Sequence, residues 1–240
     1  MCQHMPSFTM FILCFLSFVT LFNRSIGFSQ RLFASDFRAP NPPNSIVAEY
    51  QASYVQHKWD GTGISHIGSG MIYASLSLGR LRMDITYGGV ISSSLFDYAN
   101  ANSDGTIPNY MYKLSPSTAT AGSCSYYNVT PAYPLFPPNI LVASQATFAG
   151  LVTDNLFYAN QEPLQAWDIL FGATTSVTAF LDKNNTLVRM DFSSPSFSTF
   201  TTTRLFNIIP GAPAANLFSN PCPTGSSTPA PISSGGSRTV

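Results

Sequence analysis

The chain has 240 residues, with 11 Lys+Arg set against 11 Asp+Glu, a net charge of zero and only 9% charged residues. So little charge excludes an electrostatic nucleic-acid binder, which needs clustered Lys and Arg to neutralise phosphates. Hydrophobic residues at 45% and aromatic residues at 13% exclude a highly charged disordered chain, because that much apolar surface can build a core.

Residues 8–22 (FTMFILCFLSFVTLF) form an uncharged apolar run. It is shorter than the roughly 20 residues that a membrane span needs. Ser25, Ile26 and Gly27 follow it with the small residues a signal peptidase reads. The pattern predicts a signal peptide over residues 1–27, hence a secreted protein. No second run of that length predicts a transmembrane segment. Cys2 and Cys14 would leave with the signal, so the mature chain keeps Cys124 and Cys222. In an oxidising compartment two cysteines allow one bridge, and two unpaired thiols are the alternative. With only His57 and His66 beside them, the spacing of a metal site is missing.

From there the periodicity is two, the mark of half-buried strands. Residues 45–56 alternate through Ile46, Ala48, Tyr50, Ala52 and Tyr54, and residues 64–78 through Ile72, Ala74, Leu76 and Leu78. Over residues 80–87, Leu81, Met83, Ile85 and Tyr87 share one face, and Arg80, Arg82, Asp84 and Thr86 the other. Asn128-Val129-Thr130 and Asn184-Asn185-Thr186 are N-glycosylation sequons at Asn128 and Asn184. A short helix is expected over residues 139–146. A hairpin is expected over residues 177–192, turning at residues 182–185 between Val177/Ala179/Leu181 and Val188/Met190/Phe192. Residues 197–209 read as a further strand, and Pro213 opens a short turn to Phe218. The compact region therefore runs over residues 28–222. Residues 223–240 (PTGSSTPAPISSGGSRTV) are too poor in apolar residues to offset their ordering entropy and read as a disordered tail.

Many strands and little helix predict a mostly β protein whose sheet must bury one face against a second sheet, in a barrel, or in a curved half-barrel around an apolar pocket. The expected pocket wall is Met83, Ile85, Tyr87, Tyr98, Trp167, Val188, Met190 and Phe192. Such a wall binds a lipid or another apolar molecule. The competing expectation is a dry core in an adhesion or matrix glycoprotein. An enclosed cavity of a few hundred Å³ separates the first from the second.

Four blocks in order carry a resemblance: Gly79 to Ile85 (GRLRMDI) with Leu95 to Tyr98 (LFDY); Cys124; Thr147 to Gly150 (TFAG) with Trp167; and Phe206 to Pro213 (FNIIPGAP) leading to Pro221-Cys222. Over about residues 70–222 the chain resembles the ependymin-related proteins, secreted members of the LolA-like group. The resemblance implies a strongly curved antiparallel half-barrel with few short helices around a hydrophobic pocket. It also implies a disulfide from Cys124 to Cys222, glycosylation and no catalytic activity. Ependymins are associated with calcium, but no D-x-[DN]-x-[DN]-G loop occurs here. Asp97, Asp104, Asp182 and Asp191 therefore read as loop acids or cross-strand partners, and no cofactor is expected apart from calcium by resemblance.

An enzyme reading has little to stand on. There is no G-x-S-x-G elbow, and on a strand Ser65 and His66 point to opposite faces. Asp84, Asp168 and Asp191 lie near strand ends, as some acids must in any such chain.

Overall fold

The computed structural model describes residues 38–59, 61, 65–87, 90–114, 124–129, 135–154, 162–171, 175–195 and 198–222. The expected signal peptide and tail, and the domain boundary at residue 28, lie outside them. The chain divides into Met1–Pro40 and Asn41–Val240, and the second unit carries the fold.

Eleven strands make one sheet: β1 (Tyr50–Trp59), β2 (Ser65–Ser75), β3 (Arg80–Tyr87), β4 (Val90–Asp97), β5 (Ile107–Lys113), β6 (Cys124–Val129), β7 (Thr147–Val152), β8 (Leu164–Phe171), β9 (Thr175–Leu181), β10 (Leu187–Ser194) and β11 (Thr199–Pro210). Their spatial order is β6-β5-β4-β3-β2-β1-β11-β10-β9-β8-β7. Every pairing is antiparallel. Two meanders, β1 to β6 and β7 to β11, therefore meet at a single seam where β1 pairs with β11. The sheet is open and curved, with very few helices; the residue pattern predicts the β class, and of the three arrangements it left open this is the curved one.

Alternation decides which residues face inward. Leu81 and Met83 of β3 are buried in the main core, opposite Ala74 and Ile72 of β2. Ala52 and Tyr54 of β1 join the same core, as do Trp167, Ile169, Val177 and Ala179 of the other arm. Curvature lets residues of both arms share one inner cluster. Its lid is a strap comprising Ile46 and the segment from Leu135 to Ala146, which includes the one-turn helix α1 (Ile140–Ala143) with fully buried Leu141.

Three elements differ from the sequence expectation, each for a local reason. The first strand starts at Tyr50, because upstream Ile46 and Val47 spend their N–H groups on Pro138 and Asn185 carbonyls outside the sheet. The second strand ends at Ser75, where Leu76–Gly79 turns with Gly79 at φ +58°. That turn removes Leu76 and Leu78 from the alternating face. The expected helix over residues 139–146 shrinks to α1. Ser144 Oγ bonds back to the Ile140 carbonyl, and Gln145 takes a positive φ of 53°.

The outer face is partly covered as well. A 3₁₀ turn, Ala215–Phe218, lays Leu217 and Phe218 beside Leu95, Tyr112 and Tyr73. Cys124 and Cys222 form a disulfide across this contact, with Cα atoms 5.7 Å apart. Arg80 and Arg82 donate to the Phe218 and Leu217 carbonyls at 3.1 and 2.7 Å. A second outer cluster gathers Leu164, Ala166, Phe180 and Val188.

Candidate functional site

The inner face is the candidate site, and strand register builds it row by row. One row runs Trp167–Ala179–Met190–Thr203–Gln56 across five strands. Another runs Met83–Ile72–Ala52. The only polar pair in the first row is closed on itself, Gln56 Nε2 donating to Thr203 Oγ1 at 2.9 Å. Such pairing removes most of the cost of burying those two groups.

Of the eight expected wall residues, six belong to this face. Met83 and Trp167 are buried in the core, and Ile85, Tyr98, Met190 and Phe192 pack against it while remaining partly exposed. Tyr87 lies in β3, but its side chain falls outside the described residues. Val188 is misplaced by the sequence reading. It packs in the outer cluster with Leu164 and Phe180, because β10 carries a bulge between Leu187 and Arg189. The extra residue turns Val188 outward and gives its inner place to Leu187, while Met190 and Phe192 keep their face. No alternation rule locates a bulge.

Phe148 is a wall residue that the pattern missed. It opposes Trp167 edge-on with ring centroids 5.2 Å apart, in a strand that itself carries a bulge before Gly150. Tyr50 and Tyr98 also face the core, and burial pushes both phenols far above their ordinary range, the Leu135 backbone partly offsetting this at Tyr98. Both are held as neutral phenols at any physiological pH. The inner wall can therefore offer apolar surface and a few neutral polar atoms.

Between strap and sheet lies a cavity of about 20 Å³ lined by Ile46, Tyr50, Ile72, Leu81, Phe136 and Met190, among others. That holds about one water molecule. A small-molecule site is usually some 300–1,000 Å³, so this cavity is far below the expected pocket size.

The acids are engaged on the outer face and its rims. Arg82 grips Asp84 with two bonds of 2.8 and 2.9 Å, and Ser93 Oγ adds one of 2.6 Å. Asp154, almost fully buried, bridges Arg204 at 2.9 Å and Arg189 at 3.3 Å. Asp191 takes two bonds from Arg189, and Asp168 accepts from Thr178. Asp97 pairs with Arg80. Asp104 and Asp182 accept backbone N–H groups in their own turns. For Asp97, Asp104, Asp182 and Asp191 these are the cross-strand and loop roles expected of them. Among the described residues no three His, Cys, Asp or Glu side chains converge on a metal position. Ser65 meets His57 across β1 and β2 rather than its neighbour His66, with Trp59 stacked on the imidazole at 3.6 Å. Asn128 and Asn184 are both exposed, in β6 and in the β9–β10 turn. No described helix is long and apolar enough to cross a membrane.

No protein-family model matches the chain, and neither does any curated relative, so the ependymin resemblance gains no support from either. Solved structures align loosely. A conserved protein of Thermus thermophilus is 8% identical over 72% of this chain and 84% of its own, at a TM-score of 0.40. A LolA superfamily protein of Nitrosomonas europaea is 7% identical over 75% and 92%, at 0.34. A chain of the Pseudomonas aeruginosa MucA/MucB complex is 10% identical over 72% and 58%, at 0.34. Likeness this loose bears on neither ligand nor partner, and the architecture stands on the strand order itself.

Proposed function

We propose that the protein is a secreted, non-catalytic glycoprotein that takes up a lipid or another apolar molecule on the inner face of its curved sheet. The observation that carries the reading is the belt of half-buried Ile85, Tyr98, Phe148, Met190 and Phe192 around the inner core. Apolar side chains left partly in water lose free energy on being covered, at about 25 cal/mol per Å². Met190 belongs both to this belt and to the cavity lining, so it links the two. Given a cavity of about 20 Å³, entry requires the strap residues Ile46, Leu135 and Phe136 to give way. The apolar run at residues 8–22 supports secretion, and the exposed Asn128 and Asn184 support glycosylation.

The cavity size favours a second reading. An interior already filled by the strap suits an extracellular adhesion or matrix protein of the ependymin-related kind, calcium-dependent or not, working through its outer surface and glycans.

Native mass spectrometry of protein secreted by its own host, followed by lipid extraction, separates the two. The carrier reading expects bound lipid, and uptake of fluorescent fatty-acyl probes that falls in Met190→Ala but not in Val188→Ala, whose side chain faces the other way. Protein recovered empty that takes up no probe would overturn it in favour of the second reading.

A further inference from the structure

Trp167 is 1% exposed, yet its indole Nε1 has no hydrogen-bond partner among the described residues. Buried Trp N–H groups usually find an acceptor, and a buried donor left unpaired is costly. The surroundings explain the gap. Its in-register neighbours are Phe148 and Ala179, whose side chains accept nothing. Ile169 follows on the same face, and Met190 stands beyond Ala179 in the row. The donor therefore stands in the core of the inner face, on the side chain that the half-buried Phe148 meets edge-on.

We propose that Trp167 Nε1 is the polar anchor of the ligand site, and that the molecule held there is apolar but carries an uncharged acceptor oxygen of the ester or ketone kind. This rests on the reading that the inner face binds an apolar ligand, and it adds which class. Neutrality follows from the neighbours. Phe148, Gln165, Ile169, Ala179 and Met190 bring no cation, so a carboxylate at this position would be buried without a counter-charge, a costly arrangement. A pure hydrocarbon would leave the indole N–H as unpaired as before. An ester carbonyl satisfies it and adds no charge.

The chain has two tryptophans, and Trp59 packs against His57 and Phe200 on the outer side of the sheet. The Trp59→Phe variant thus leaves Trp167 as the only indole, and its ¹H–¹⁵N resonance reports the proposed bond directly. Three probes of similar length are titrated: methyl laurate, tridecane and laurate. The expected result is a downfield shift of the indole proton with methyl laurate alone, and about tenfold tighter binding of the ester than of the alkane. Trp167→Phe should erase that preference while leaving tridecane bound, as read by displacement of a fluorescent acyl probe. If that variant does not fold, the indole shift decides alone. Ester and alkane binding equally with no downfield shift overturns the anchor and leaves the carrier reading intact. Laurate binding most tightly at neutral pH overturns the neutral class. Failure of all three probes to bind overturns the carrier reading and the anchor together.

Discussion

A Cβ on Gly70 would collide with the Asp84 carbonyl oxygen, whereas one on Gly68 would meet only the end of the Ile85 side chain, at 2.9 Å. Backbone cannot yield as a side-chain tip can, so the two glycines differ in kind. Gly70→Ala should destabilise by about 1–3 kcal/mol through a forced β2–β3 shift, and Gly68→Ala by clearly less, as read from denaturant midpoints. Equal costs would contradict the close approach. Glu49 sets a second residue-scale test. Its carboxylate accepts from Ser77 Oγ at 2.6 Å and Ser77 N–H at 2.8 Å, and from Ser75 Oγ at 3.4 Å. The Ser77 hydroxyl bond, then its N–H, hold the carboxyl below its ordinary value of 4.5 against the opposing effect of desolvation. A lowered folded-state pKa stabilises above 4.5, and the contribution is lost as pH falls below that value through the folded pKa. The thermal midpoint of the wild-type protein should therefore fall more steeply with acidification than that of Glu49→Gln. Because the group is largely exposed, the difference should be small and should shrink further in salt. Neither feature is visible in residue types alone: Gly70 sits in a strand like any other glycine, and Glu49 lies 28 positions from Ser77.

At the scale of elements, alternation read strand faces well, even across the irregularity between Gln51 and Ser53, and failed at Val188. Leu81, Met83 and Ile85 share the inner face as expected, and the β9–β10 hairpin turns at Asp182 as expected. Val188 failed for one bulge, and the start of β1 failed because a strap and a strand share the same alternating composition. The disulfide is the firmest element-scale expectation. Cys124 and Cys222, 98 positions apart, clamp the 3₁₀ turn Ala215–Phe218 to the outer face of β3 to β5. On the chain-entropy account a loop of that size is worth at most about 4–5 kcal/mol. Reduction, or a paired Cys124→Ala/Cys222→Ala replacement, should lower the denaturant midpoint accordingly and free Phe218 to proteolysis. An unchanged midpoint would mean that the Arg80 and Arg82 bonds to the turn hold it without the bridge.

Across the whole molecule, the seam decides cooperativity. Each arm is a meander of neighbouring strands, but β1 and β11 pair residues far apart in the chain, such as Gln56 with Thr203, separated by 147 positions. Tyr54 and Leu205 face each other there, both buried in the shared core. Neither arm keeps that core without the other. Leu205→Ala should cost about 2–5 kcal/mol and still unfold in one step, with tryptophan fluorescence and far-ultraviolet dichroism coinciding. Separate transitions for the two arms would show that the seam is only an edge contact.

The sequence by itself determined the β class, the inward residues of the regular strands, and the surplus of apolar over ionisable groups, because period and composition are local quantities. With Cys2 and Cys14 expected to leave with a signal peptide, it also left Cys124 and Cys222 as the pair that a bridge could join. Only the tertiary structure decided that the two meanders close through β1 and β11, that a strap lies over the curved face with a cavity of about 20 Å³ beneath it, and that Trp167 buries a donor with no partner among the described residues. Those are outcomes of packing between residues far apart in the chain, which local period and composition do not encode.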